Sequence, residues 1–201
     1  MRTVLIIAAC IAVIAFGFDG VGAALIYDRD AVLAGQVWRL LSSALVHLST
    51  AHLVFDLAAI ALIAALGQDE GAVPTLALSV LIATLSSLYV LVWRPEMRYF
   101  GGLSGVATGL YAYAALQSLR HRGMHVPSAL LLALLVAKTR LELSTGHSFL
   151  LSAVDTPFST VAACHAIGLA VALGFAALPA RERTAGRVAE HATTTIESRG
   201  Y

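Results

Sequence analysis

The chain has 201 residues, 59% hydrophobic and 12% charged, with a mean hydropathy of +0.82. Soluble domains carry roughly 25% charged residues, so this composition excludes one, and the length suits a single compact domain. A net charge of +1 provides no basic field and excludes a nucleic-acid partner.

Runs of about 20 apolar residues cross a hydrocarbon core about 30 Å thick, and polar residues mark where they stop. Six runs fit: Val4 to Phe18 or beyond, Ser49 to Gly67, Ala72 to Trp93, Leu103 to Leu119, Val126 to Leu143, and Pro157 to Leu178. The first has the basic residue and apolar stretch of a secretory signal, but apolar sequence continues from Gly20 to Ile26, and removing it would leave an odd number of spans. Tyr27 to Leu48 is long and amphipathic, with Trp38 and Arg39 among leucines, as an interfacial segment would be. The remaining connections are short. The fold expected is therefore all-α, a polytopic six-helix membrane bundle over residues 1–179, followed from Ala180 by a polar, disordered or cytoplasmic tail.

Cys10 and Cys164 lie inside apolar runs and read as small buried hydrophobes. Arginines fall on both sides of the spans, so charge orients the chain only weakly; both termini are assigned to the cytoplasm. The fifth run holds Lys138, Arg140 and Glu142, with Lys138 and Glu142 one turn apart and able to pair near the outer boundary.

Ser104 opens the fourth run in Gly101-Gly102-Leu103-Ser104-Gly105. Glycines allow a tight backbone there, and a helix start offers unpaired N–H groups, including that of Ser104, beside a positive dipole end. That setting suits a nucleophile whose attack creates an oxyanion, although the same glycines also occur where helices merely pack. His165 lies inside the sixth run, and an ionisable group at membrane depth calls for a partner. Ser104 precedes Arg120 by about 16 residues and His165 precedes Arg181 by about 16. At 1.5 Å per residue both stand about 24 Å above the same boundary. Gly102, Gly105 and Gly109 beside the serine, with Gly168 beside the histidine, would let the two helices approach closely. Neutral imidazole could then take the serine proton and return it to a leaving amine.

The second run begins His47-Leu-Ser-Thr-Ala-His52-Leu-Val-Phe-Asp56. His52 and Asp56 share a helix face at the height of Ser104, where they could stabilise the oxyanion, whereas His47 belongs to the preceding loop. Two histidines and a carboxylate could also bind zinc, but that reading leaves Ser104 unexplained, and no metal or cofactor is assigned. A third reading has these groups only cross-linking helices.

Together, these groups resemble the rhomboid intramembrane serine proteases, whose pattern is His-x4-His-x3-Asn, then Gly-x-Ser-Gly, then Ala-His-x-x-Gly. The resemblance implies Ser104 as nucleophile, His165 as general base with no third acid, and His52 and Asp56 at the oxyanion. Within the family the chain is most similar to the rhombosortases, on Tyr27-Asp28-Arg29, Gly35 to Leu41, His47 to Asp56, and the Lys138 and Glu142 pair. That narrower likeness implies a bacterial inner-membrane enzyme whose site opens to the periplasm. Its partners would be the bilayer and a transmembrane substrate with a Gly-rich (Gly-Gly) C-terminal signal. The alternatives are a general rhomboid protease of single-pass proteins and a pseudoprotease that binds transmembrane segments without cleavage. Two positions depart from the family pattern: Asp56 replaces Asn, so that an ionised carboxylate would repel an oxyanion while a protonated one could donate to it, and Thr108 replaces a Tyr or His that would stack on the imidazole.

Overall fold

A computed structural model describes residues 1–65, 71–121, 125–146 and 161–178; the expected start of the sixth run and the polar tail after Ala180 lie outside these residues. Helix α1 (Arg2–Gly17) occupies the first apolar run. It does not continue to Ile26 as one span. Phe18 is extended (φ −127°, ψ 101°), and α2 (Asp19–Leu25) departs at 116°. Gly17 and Gly20 flank the bend with poor helix propensity, while Asp19 puts a carboxylate at the new N-terminus. Gly22 lets α2 lie on α1, because a Cβ there would stand 2.7 Å from the Ala15 carbonyl oxygen.

The end of α2 is capped from the segment that follows. Arg39 Nη1 donates to the carbonyls of Ala23 and Ile26, at 2.7 Å each, and Ser42 Oγ donates to that of Leu25 at 2.7 Å. Arg39 is buried because its donors satisfy carbonyls that a helix terminus leaves open. The expected amphipathic stretch is built from β1 (Tyr27–Asp28), α3 (Arg29–Leu33), α4 (Arg39–Ser42) and a 3-10 turn (Ser43–Leu45). Leu33, Val37, Trp38 and Leu41 remain exposed along it. Asp28 caps α3 by accepting from the backbone N–H groups of Asp30 and Ala31.

One small feature adds to the helical architecture that was expected. β1 pairs antiparallel with β2 (Tyr99–Phe100), in the register Tyr27 to Phe100 and Asp28 to Tyr99. Two-residue strands have no periodicity to detect in sequence. The ladder ties the first loop to the residues just ahead of Gly101, and the buried Tyr27 ring meets Phe100 edge-on.

Five further helices form the body: α5 (Thr50–Ala65), α6 (Ala72–Trp93), α7 (Ser104–His121), α8 (His125–Thr145) and α9 (Ala163–Ala177). α7 packs against the other four, and the core between them includes Leu78, Ile82, Val106, Leu110, Tyr113 and Ala172. The Tyr111 hydroxyl donates to the Ala59 carbonyl and ties α7 to α5, while Arg120 donates to the Ala176 carbonyl and ties it to α9. The long helices fall on the six apolar runs. Membrane crossing is a stricter matter. Among the described residues only α6 is long and apolar enough to cross alone, with up to three spans if each bent pair counts as one. Ser, Thr and Gln dilute α7, three charged residues dilute α8, and α9 has 15 described residues.

Candidate active site

The loop before α7 lies against the 3-10 turn. Gly101 is needed there because a Cβ would stand 2.5 Å from the Val46 carbonyl oxygen, and the Gly102 N–H donates to the Ser43 carbonyl at 3.2 Å. Gly102 has φ +123°, and its Cα faces the His52 ring so closely that a Cβ would fall 2.4 Å from Cε1. Gly102 thus packs on an imidazole, not in a helix–helix seam. The Leu103 carbonyl accepts from the Ala107 N–H at 2.8 Å. Ser104 follows as the first helical residue, where the opening N–H groups lack intrahelical acceptors.

α7 and α9 run side by side in the same direction through Gly105, Gly109 and Gly168. A Cβ at Gly105 would stand 3.0 Å from the Cys164 carbonyl oxygen, one at Gly109 2.9 Å from that of Gly168, and one at Gly168 2.4 Å from that of Gly105. This backbone contact brings the start of α9 to the start of α7. Ser104 and His165 therefore line one cavity of about 170 Å³, together with His52, Asp56, Lys138 and Cys164.

Ser49 caps α5 by accepting from the His52 N–H at 3.2 Å, which sets the phase of the helix that carries His52 and Asp56. Asp56 is buried, and its Oδ2 accepts from the Leu103 N–H at 2.7 Å. The same oxygen is 3.0 Å from His47 Nε2 and 3.4 Å from His52 Nε2. One carboxylate oxygen thereby joins the loop histidine, the α5 histidine and the backbone just ahead of Ser104. Because an N–H can only donate, Oδ2 accepts from Leu103, while the direction of its contact with His47 follows from the tautomer of that ring. The family pattern includes His47, but its contact with Asp56 could not be read from spacing, since a loop residue has no helical phase. Asp56→Ala should leave buried donors without an acceptor and lower stability by about 2–4 kcal/mol, read as a fall in the thermal midpoint of the detergent-solubilised protein.

His47, His52 and Asp56 also bring ligand atoms within 4.8 Å of one another. Oδ2 is already engaged by the Leu103 N–H, which suits a hydrogen-bonded hub better than a three-ligand metal centre.

His165 is buried, with Nδ1 2.6 Å from Glu142 Oε2. Lys138 and Glu142 form the expected pair, at 2.8 Å to Oε1 and 2.9 Å to Oε2, but Glu142 reaches beyond it to the imidazole. Sequence reasoning missed this contact although a signal existed. Glu142 lies 17 residues after the start of α8, and Ser104 lies 17 before the end of α7, so the hairpin sets both at one height. Thr108 does not reach across to the ring: its hydroxyl donates to the Ser104 carbonyl at 2.9 Å, within its own helix.

A comparison with curated proteins found no match. The sequence model of the Rhomboid domain matches residues 34–181, about three quarters of the chain and all of the cavity-lining residues. The chain therefore belongs to the rhomboid family, the membrane-embedded intramembrane serine proteases.

Proposed function

We propose that Ser104 is the nucleophile and His165 the general base of this protease, and that it is a rhombosortase trimming exported proteins with a Gly-Gly and transmembrane tail. The observation that carries the reading is the shared cavity, whose wall holds a helix-start serine and a buried histidine together with His52. The Ser104 Oγ–H proton passes to His165 Nε2 as Oγ bonds to the scissile carbonyl carbon. The oxyanion is held by N–H groups of the first turn of α7, with His52 as a side-chain donor and Asp56 holding both in place. His165 then returns the proton to the leaving amine as the C–N bond breaks, and a water enters to hydrolyse the acyl ester by the reverse proton path.

The six-helix bundle would sit in a bacterial inner membrane with the cavity open to the periplasm and both termini cytoplasmic. The glycine preference is supported by the size of the cavity, about 170 Å³ with Phe55, Met97, Tyr99 and Phe100 on its wall, which leaves little room for large substrate side chains. Glycine in the substrate also weakens helix and favours the extended form that a protease must bind.

Co-expression with a substrate ending in Gly-Gly, an apolar helix and a basic cluster tests the reading. Wild-type enzyme should release the ectodomain, Ser104→Ala should release none at equal abundance, and changing the substrate's Gly-Gly to Leu-Leu should slow release by about 100-fold. Equal cleavage of both substrates would leave a general rhomboid protease. Undiminished cleavage by Ser104→Ala would refute the assignment of the nucleophile. Cleavage of neither substrate, with Ser104 inert to a fluorophosphonate, would favour a pseudoprotease that binds transmembrane segments.

A further inference from the structure

Glu142 is 0% exposed inside an apolar protein, which is costly unless its charge is used. Among the described residues, Lys138 and His165 face its two oxygens from different helices. Lys138, one turn earlier on α8, contacts both, and His165 from α9 contacts Oε2 through Nδ1. Lys138 Nζ is itself 3.4 Å from His165 Nδ1, so carboxylate and ammonium compete for that ring nitrogen. Distance decides between them. At 2.6 Å against 3.4 Å the carboxylate holds Nδ1, and a carboxylate can only accept.

We infer that Glu142 is a positioning residue that fixes the proton of His165 on Nδ1, leaving the Nε2 lone pair for Ser104, with Lys138 as its counter-charge. The inference rests on the Ser104 and His165 reading above and extends that pair to a relay of serine, histidine and glutamate. Lys138 has two tasks in it. It neutralises the buried carboxylate, and it pins both oxygens so that Oε2 faces the ring. With the Thr108 hydroxyl spent on its own helix, Glu142 provides the shortest polar contact to His165 among the described residues. In Glu142→Gln one acceptor oxygen remains where two were. The ammonium claims it, the amide NH2 then faces Nδ1, and the ring proton moves to Nε2, where it blocks proton uptake from Ser104.

The test needs no physiological substrate. In full-length, detergent-solubilised protein a fluorophosphonate phosphonylates Ser104: Oγ bonds to phosphorus, fluoride leaves, and the serine proton goes to His165. Glu142→Gln should lower the labelling rate at saturating probe by about 100- to 10,000-fold, with little change in the probe concentration for half-saturation and unchanged abundance and thermal unfolding. In wild-type protein carrying 15N-histidine, the His165 resonances should report a proton on Nδ1. A folded Glu142→Gln protein labelled within threefold of the wild-type rate would overturn the inference. So would a wild-type His165 protonated on Nε2 alone, which decides the matter even where the variant fails to fold. Ser104→Ala separates the two levels of argument: residual labelling in that variant refutes the nucleophile, whereas its loss alongside an active Glu142→Gln refutes only the relay.

Discussion

Replacing His165 by alanine should lower the turnover number by about four to six orders of magnitude while the protein keeps its abundance and its helical content. Without the imidazole, the proposed base that takes the Ser104 proton and hands it to the leaving amine is gone, and His52, the other cavity imidazole, is assigned to the oxyanion beside Asp56. Lys138 also lines the cavity, but its ammonium is paired with Glu142 and can only donate. Residual rate would come from the N–H groups at the start of α7 and from substrate binding, which hold the oxyanion and the peptide without moving a proton. The loss should therefore fall on kcat, with KM little changed. Cleavage assays on purified His165→Ala, read against Ser104→Ala, check this, and because the two residues act as one unit the double variant should be no slower than either single one.

Gly168→Ala is the second large effect, although the residue touches no substrate. Its added Cβ would meet the Gly105 carbonyl oxygen at 2.4 Å and the Gly109 nitrogen at 3.0 Å, both of them backbone atoms that cannot rotate away. α9 must then retreat from α7. Overpacking of this kind costs about 1–3 kcal/mol, seen as a lower thermal midpoint. The catalytic cost should be larger than the stability cost implies. Gly168 is three residues after His165 on the same helix, so the displacement carries the imidazole away from Ser104, and about 1 Å of misplacement costs about 100-fold in rate. Gly174→Ala is the control, since a Cβ there meets nothing within 4 Å; it should leave both readouts near wild type.

Linear order was enough to recover the long helices, because apolar runs and their polar ends are local properties of the chain. It also carried Ser104 and His165 to one height, since rise along a helix is a constant that can be counted from a shared boundary. The small residues at 105, 109 and 168 indicated which helices could touch. Crossing capacity is less plainly written: polar residues in α7 and charges in α8 leave α6 as the one described helix that is long and apolar enough alone.

Direction around each helix, by contrast, came only from packing. Phe18 turns the chain because α2 is captured by Arg39 and Ser42, a contact made by residues far along the sequence. His47 reaches Asp56 from a loop, where no periodicity records which way a side chain points. Glu142 could be assigned a depth by counting, yet whether it faced lipid, Lys138 alone or His165 depended on how α8 rotates against α9. Height is additive along one helix, whereas azimuth is set jointly by every neighbour that a helix packs against. For that reason the amino-acid order singled out the two groups proposed to react, and the tertiary structure decided what surrounds them.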